Sequence, residues 1–122
     1  MSKKILVIDD DPGTLKLLES VLQSMNYTCV TIKNPKDALK TIQNIMPDMV
    51  LLDIIMPEID GYSLCKEIKS LYGNKIPIII FTAQSYEKDL IQEAYKDFGA
   101  DDYLTKPFDT QQFIQKIKKV LK

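Results

Sequence analysis

The sequence predicts an α/β domain built on a doubly wound, five-stranded parallel sheet. Three observations lead there. Five apolar segments alternate strictly with five helical patterns, an order that calls for parallel strands joined by right-handed helical crossovers. The central apolar segments are continuous and rich in β-branched residues, as in strands covered on both faces. The helical patterns begin at readable capping residues. With 122 residues and 45% hydrophobic content the chain can bury one core, and no repeat, low-complexity stretch or linker divides it, so a single domain is expected over residues 1–122.

Ile5-Leu6-Val7-Ile8 reads as the first, central strand. Asp11-Pro12 then places a capping carboxylate before a proline at the first helical position, and Leu15, Leu18, Leu22 and Met25 follow at helical spacing. Thr28 to Lys33 is shorter and mixed, with Cys29, Val30 and Ile32 apolar, which suits an outer strand. Asn34-Pro35 repeats the capping device ahead of Ala38, Ile42 and Ile45. Met49-Val50-Leu51-Leu52 is a second central strand, and Asp60 caps a third helix carrying Leu64, Ile68 and Leu71. Ile76 to Phe81 is the third central strand; Ser85 caps a fourth helix carrying Leu90, Ala94 and Phe98, closed by Gly99. Tyr103-Leu104-Thr105 is the other outer strand. Asp109 with Gln112 three residues later forms a capping box for the last helix, with Phe113, Ile117 and Val120 inward.

Composition narrows the chemistry. Sixteen Lys+Arg against 17 Asp+Glu give a net charge of −1, so no global positive field exists to hold nucleic acid or anionic lipid. The absence of histidine removes the commonest general base and the commonest zinc ligand. Carboxylates, hydroxyls and lysine remain. Cys29 and Cys65 form neither a CxxC motif nor a secreted framework and read as reduced thiols. The early run Ile5 to Ile8 is too short for a signal peptide and is followed by three aspartates. A cytoplasmic protein without a membrane span is expected.

In a doubly wound sheet the carboxyl ends of all strands lie on one edge, where ligands bind. Asp9, Asp10 and Asp11 follow the first strand, Asp53 the third, Thr82 and Ala83 the fourth, and Lys106-Pro107 the fifth. Aspartates converging from two strand ends repel one another unless a hard cation sits among them, and oxygen-only ligands favour Mg²⁺ over zinc. A carboxylate beside such a metal, with an ammonium and a hydroxyl nearby, is equipped to attack phosphorus and become an acyl phosphate.

Five motifs, in order and spacing, carry a resemblance that covers the whole chain. They are Ile5-Leu6-Val7-Ile8-Asp9-Asp10, Leu51-Leu52-Asp53-Ile54-Ile55-Met56-Pro57 with Gly61, Phe81-Thr82-Ala83, Gly99-Ala100-Asp101-Asp102-Tyr103 and Lys106-Pro107-Phe108. Together they resemble the receiver domain of two-component response regulators, of the chemotaxis type. The resemblance implies a flavodoxin-like (βα)5 fold with strand order 2-1-3-4-5, and a bacterial, cytoplasmic phosphorylation switch rather than an enzyme. Asp53 is then the phosphoacceptor. Asp10 ligates Mg²⁺ (or Mn²⁺) directly and Asp9 directly or through water, joined by Asp53 and the backbone carbonyl of Ile55. Lys106 bridges toward the phosphoryl group, and the Lys106-Pro107 bond takes the cis form common in the family. Thr82 swings its hydroxyl onto a phosphoryl oxygen while Tyr103 rotates inward. Ile55 and Gln84 border the path of hydrolytic water, and the small Ala83 leaves the acceptor accessible.

Because the chain has no histidine of its own, the implied donor is a histidine kinase or histidine phosphotransfer protein, with a small acyl phosphate as a substitute. The implied output is the face of the fourth helix, fifth strand and last helix. It binds a downstream effector protein or an attached output domain, as a monomer or phosphorylation-dependent dimer, without direct nucleic-acid or membrane contact. Asp11 reads as a helix cap only, and Lys116, Lys118, Lys119 and Lys122 as cations complementing a helix dipole.

Three rivals fare worse. Asp9 to Thr14 echoes the first motif of haloacid-dehalogenase-type phosphatases, but it carries an extra residue, and Asp101-Asp102 precede Lys106 where that family's acidic pair follows the lysine. A flavodoxin-like cofactor carrier needs a first loop that cradles phosphate, which Asp9 to Asp11 would repel without metal. A degenerate receiver acting only as an interaction module would lack site residues that are all present here.

Overall fold

The computed structural model of the chain describes residues 3–56, 59–83 and 95–121. Strands β1 (Lys4–Ile8), β2 (Thr28–Ile32), β3 (Met49–Asp53), β4 (Ile78–Ala83) and β5 (Asp102–Lys106) form one parallel sheet in the order β2-β1-β3-β4-β5. This is the predicted order. Alternate residues of the central strands face opposite layers. Leu6, Ile8, Val50, Leu52, Ile78 and Ile80 pack with Ala38, Ile42, Leu64, Cys65 and Ile68, whereas Ile5, Val7, Met49, Leu51, Ile79 and Phe81 pack with Leu18, Leu22, Phe113 and Ile117. Both faces are covered, which is why these strands are apolar throughout.

Helices α1 (Pro12–Ser24), α2 (Ala38–Ile45) and α3 (Gly61–Tyr72) and a C-terminal helix (Thr110–Leu121) supply those layers. The Asp11 carboxylate accepts from the backbone N–H groups of Gly13 and Thr14 and opens α1. The Asp60 carboxylate accepts from Tyr62 N–H at 2.9 Å and Ser63 Oγ–H at 3.0 Å and opens α3. The predicted capping box closes reciprocally: Gln112 N–H donates to Asp109 Oδ1 at 2.7 Å, and Asp109 N–H to Gln112 Oε1 at 3.4 Å.

Local expectations are corrected at four places. Asn34 caps a 3-10 turn, Pro35–Asp37, and not an α-helix; its Oδ1 accepts from Lys36 N–H, and the α-helical ladder starts only at Ala38. Leu71 is 61% exposed, and Tyr72 packs on the core instead. With Gly61, Leu64, Cys65 and Ile68 buried, the 3.6-residue period brings Tyr72 nearer the centre of the buried stripe than Leu71. β4 starts at Ile78 rather than Ile76, because Pro77 has no N–H for the ladder. Finally, a two-residue antiparallel pair, Ile55–Met56 with Ile59–Asp60, lies between β3 and α3. The predicted fourth helix from Ser85, with Leu90 and Ala94, lies outside the described residues. After them come a 3-10 turn, Tyr95–Phe98, and Gly99 at φ 84. Among the described residues no helix is long and apolar enough to cross a membrane.

Candidate functional site

β1 and β3 are neighbours in register, with Ile8 beside Leu52, so the residues that follow them, Asp9 and Asp53, emerge side by side at the carboxyl edge. Both inherit the burial of their strands: Asp9 is 0% exposed and Asp53 6%. Asp10 follows, half-buried, and the three carboxylates each offer an oxygen within 4.8 Å of the others. Asp9 is held from two sides. Its Oδ1 accepts from Asp11 N–H at 2.9 Å and its Oδ2 from the Lys106 ammonium at 2.7 Å.

Lys106 ends β5, two strands away from β3, and its long side chain reaches across the end of β4. The Lys106 Nζ stands 3.5 Å from Asp53 Oδ2 and 5.9 Å from the centre of the Phe81 ring. Burial pushes the Lys106 pKa down, but the hydrogen bond to Asp9 and the charges of Asp53 and Asp9 outweigh it and leave the pKa above the ordinary 10.5. The group stays an ammonium. Three carboxylates and one ammonium leave the pocket with an excess of negative charge. At an effective dielectric near 20, two carboxylates 4.8 Å apart repel by roughly 3 kcal/mol. The donor set is oxygen only, which suits a hard divalent cation.

Asp11 stays outside this cluster, as the sequence predicts. Its carboxylate takes a 2.7 Å hydrogen bond from Thr14 Oγ1 and the N–H groups of Thr14 and Gly13, and the Thr14 hydroxyl foremost lowers its pKa below 3.8. Asp53 is in register with Phe81, so the backbone of Thr82 lies one residue beyond, itself paired with Thr105. The Ile55 backbone follows Asp53 by two residues and pairs with Asp60. Its position depends on Gly61: Gly61 N–H donates to Ile54 O at 3.2 Å, and a Cβ on Gly61 would lie 2.3 Å from Ile54 Cα. The Lys106-Pro107 peptide is cis. Gln84 lies outside the described residues.

Tyr103 is not part of the acidic cluster. It pairs with Ile80 in the edge strand, half-buried against the α2/α3 layer. Beside it lies an arrangement the charge pattern does not announce. Asp102 is 6% exposed and binds the Lys116 ammonium at 2.7 Å, and that Nζ also stands 4.8 Å over the Tyr103 ring. Lys116 therefore does more than complement a helix dipole. The available signal was an aspartate opening an otherwise apolar strand segment, with a lysine on the adjoining helix.

A family model described as the response regulator receiver domain matches residues 5–118. A protein described as "Probable transcriptional regulator ycf27" from Guillardia theta is 38% identical over 120 residues, covering 98% of this chain and 46% of the relative. The alkaline phosphatase synthesis transcriptional regulatory protein PhoP of Bacillus subtilis (strain 168) is 34% identical over 122 residues, covering 100% of this chain and 50% of the relative. The crystal structure of the chemotaxis protein CheY4 of Vibrio cholerae superposes with a TM-score of 0.86 at 27% identity, covering 99% of this chain and 100% of that one. The chain spans about half the length of the curated relatives it matches.

Proposed function

The chain belongs to the response regulator receiver domains of two-component signalling, and from that premise we propose that it is a switch worked by phosphorylation of Asp53. One observation carries the assignment of the acceptor. Asp53 ends the buried central strand β3 within 4.8 Å of two further carboxylates and 3.5 Å from the Lys106 ammonium, whereas Asp9, which shares that setting, has one oxygen bonded to Asp11 N–H and the other to Lys106.

In the proposed reaction a carboxylate oxygen of Asp53 attacks the phosphorus of a phosphohistidine on a partner kinase or phosphotransfer protein. The P–N bond breaks, a P–O bond to Asp53 forms, and the histidine leaves with the P–N electron pair and takes up a proton. Asp9, Asp10, Asp53 and the Ile55 carbonyl would hold Mg²⁺ or Mn²⁺, which when bound neutralises charge on the transferring phosphoryl oxygens. Lys106, already shared between Asp9 and Asp53, moves its ammonium toward the phosphoryl oxygens. Thr82 offers its hydroxyl to one of them, and Tyr103 changes position in response. The result is a population shift at the β5 edge that an effector reads.

The domain takes part in its own phosphotransfer and dephosphorylation but turns over no separate substrate. The relatives ycf27 and PhoP are transcriptional regulators by name and about twice as long as this chain, which favours an attached or separate transcriptional output. Both cysteines are free, in keeping with the reducing cytoplasm.

Intact-mass measurement after incubation with Mg²⁺ and acetyl phosphate tests the assignment, with beryllofluoride titration where hydrolysis is fast. A single phosphoryl adduct, or Mg²⁺-dependent beryllofluoride binding, is expected and is lost in Asp53→Asn. Stoichiometric labelling retained by Asp53→Asn would overturn the acceptor assignment. Failure of both probes on folded, Mg²⁺-binding protein would leave an interaction module.

A further inference from the structure

We propose that Lys116 is a positioning residue for Tyr103: its ammonium, anchored on the buried Asp102 carboxylate, holds the Tyr103 ring where it stands and so sets how readily phosphorylation moves it. The inference rests on the switch reading above and adds a component to it.

Successive residues of a strand point to opposite faces. On β5 this places Asp102 with Leu104, toward the C-terminal helix, and Tyr103 on the other face, against the α2/α3 layer. A single side chain can serve both faces only by passing round the sheet's open edge, and β5 is an edge strand. Lys116 does this. Its Nζ is 2.7 Å from Asp102 Oδ1 on one side and 4.8 Å from the centre of the Tyr103 ring on the other. The same Asp102 Oδ1 accepts the backbone N–H of Tyr103 at 2.8 Å. One carboxylate oxygen thus fixes both the main chain of Tyr103 and the cation beneath its ring.

The ammonium cannot follow the ring. Asp102 is 6% exposed, and a carboxylate that buried needs its counter-charge. When Tyr103 leaves its present position, Lys116 stays on Asp102 and the cation–π contact is given up. That contact favours the present position by roughly two- to fivefold in population. A groove of about 420 Å³, lined by Tyr103, Thr105, Gln112, Gln115 and Lys116 among others, opens beside the ring, so the arrangement sits on surface that a partner can reach.

Lys116→Met keeps the aliphatic stem and removes the charge. Lys116→Arg keeps a cation able to bind both carboxylate and ring. Asp102→Asn combined with Lys116→Met removes the stranded carboxylate and carries the test if the single variant does not fold. With 3-fluorotyrosine incorporated, and the Tyr103 signal assigned by its loss in Tyr103→Phe, fluorine NMR of the unphosphorylated protein reads the ring directly. The Lys116→Met signal is expected to move toward the position seen in the beryllofluoride complex, by a roughly two- to fivefold population change, and Lys116→Arg to restore it. A Tyr103 signal unmoved by Lys116→Met or by the double variant, or one that Lys116→Arg leaves displaced, would overturn the proposal. Intact-mass phosphorylation of the same samples separates the two ideas. An Asp53 adduct with an indifferent Tyr103 signal removes Lys116 alone. If no sample gives an adduct or binds beryllofluoride, the switch reading fails, and the proposal falls with it.

Discussion

Replacing Gly61 by alanine tests how tightly the segment after Asp53 is held. A Cβ at this position would lie 2.3 Å from Ile54 Cα and 2.8 Å from both the carbon and oxygen of its carbonyl, where ordinary contact begins at 3.4 Å. The obstacle is backbone, so no side-chain rotation relieves it. Helix α3 and the Ile54 segment must part by about 1.1 Å, which also stretches the 3.2 Å hydrogen bond from Gly61 N–H to Ile54 O beyond useful length. Overpacking of this kind costs about 1–3 kcal/mol and the hydrogen bond about 1 kcal/mol, offset in part by the better helix propensity of alanine. The expected net loss is about 2–3 kcal/mol, or roughly 8–12 °C in Tm for a chain of this size. Ile54 lies between Asp53 and Ile55, so Mg²⁺ affinity is expected to fall on the order of tenfold with it. Urea unfolding and Mg²⁺ titration calorimetry read the two effects. Gly73→Ala is the control: at φ 56 and ψ −135, outside the left-handed α region and favourable only to glycine, with nothing within 4 Å of an added Cβ, it meets backbone strain of about 1–3 kcal/mol and leaves Mg²⁺ binding unchanged. A Gly61→Ala protein within about 0.5 kcal/mol of the parent, with the same Mg²⁺ titration, would refute the reasoning.

Lys106→Met should lower stability without metal and enlarge the stabilisation that Mg²⁺ gives, read as the Mg²⁺-dependent shift in the urea midpoint; an unchanged shift would contradict this. The raised pKa of Lys106 means its contribution is fully present below the unfolded value of 10.5 and is lost as pH rises through the higher folded value. The metal-free parent should therefore lose stability faster than Lys106→Met above about pH 10.5, and parallel curves would argue against it. Burial pushes both cysteine thiols up to about 11, so a thiol reagent at neutral pH should label neither rapidly until urea is added, and fast native labelling of buried Cys65 would count against the packing. Lys69 donates to Asp101 at 2.8 Å and to the Ile76 carbonyl at 3.0 Å, while Asp101 accepts the Ile78 N–H that starts β4 at 2.8 Å. Lys69→Met should cost about 1–2 kcal/mol and speed amide exchange at Ile78; unaltered exchange there would show that the clasp is inessential.

What could be read from the residues depended on how locally each feature is determined. The strands, the apolar faces of the core helices and the caps at Asp11, Asp60 and Asp109 follow from runs and spacings within one element, whereas the strand order, a relation between elements, follows from the family resemblance of the five motifs. Asp9, Asp53 and Lys106 were legible as a group because strand ends of a parallel sheet share an edge. Which carboxylate holds the lysine more closely was not, since 2.7 Å to Asp9 against 3.5 Å to Asp53 depends on how one side chain crosses the end of β4. Leu71 and Tyr72 differ by one residue, and the period set by Gly61, Leu64, Cys65 and Ile68 favours Tyr72; reading Leu71 inward follows its apolar character rather than that period. The Asp102–Lys116 pair joins residues 14 apart on different elements, and no period of either element marks it.

The charges and the edge strand bear on each other. A change in charge at Asp53 cannot travel through β1 and β3, whose side chains from Ile5 to Ile8 and Met49 to Leu52 are fully buried and close-packed. It can travel only through groups with two places to stand. Lys106 is one, suspended between Asp9 and Asp53, and it belongs to β5. Tyr103 is a second residue of the same strand, half-buried at the sheet's open side and packed against the α2/α3 layer. β5, like β2 at the opposite edge, has one neighbour in the sheet and an exposed flank, so a displacement there costs fewer packed contacts than in the central strands. Of the two edges, β5 is the one whose Lys106 reaches Asp53. On the proposed reading, the acidic pocket gathers charge at the centre of the sheet because burial makes that charge energetic. The response emerges at β5 because that strand carries both Lys106, which reaches the acidic pocket, and Tyr103, beside which the Asp102–Lys116 pair stands.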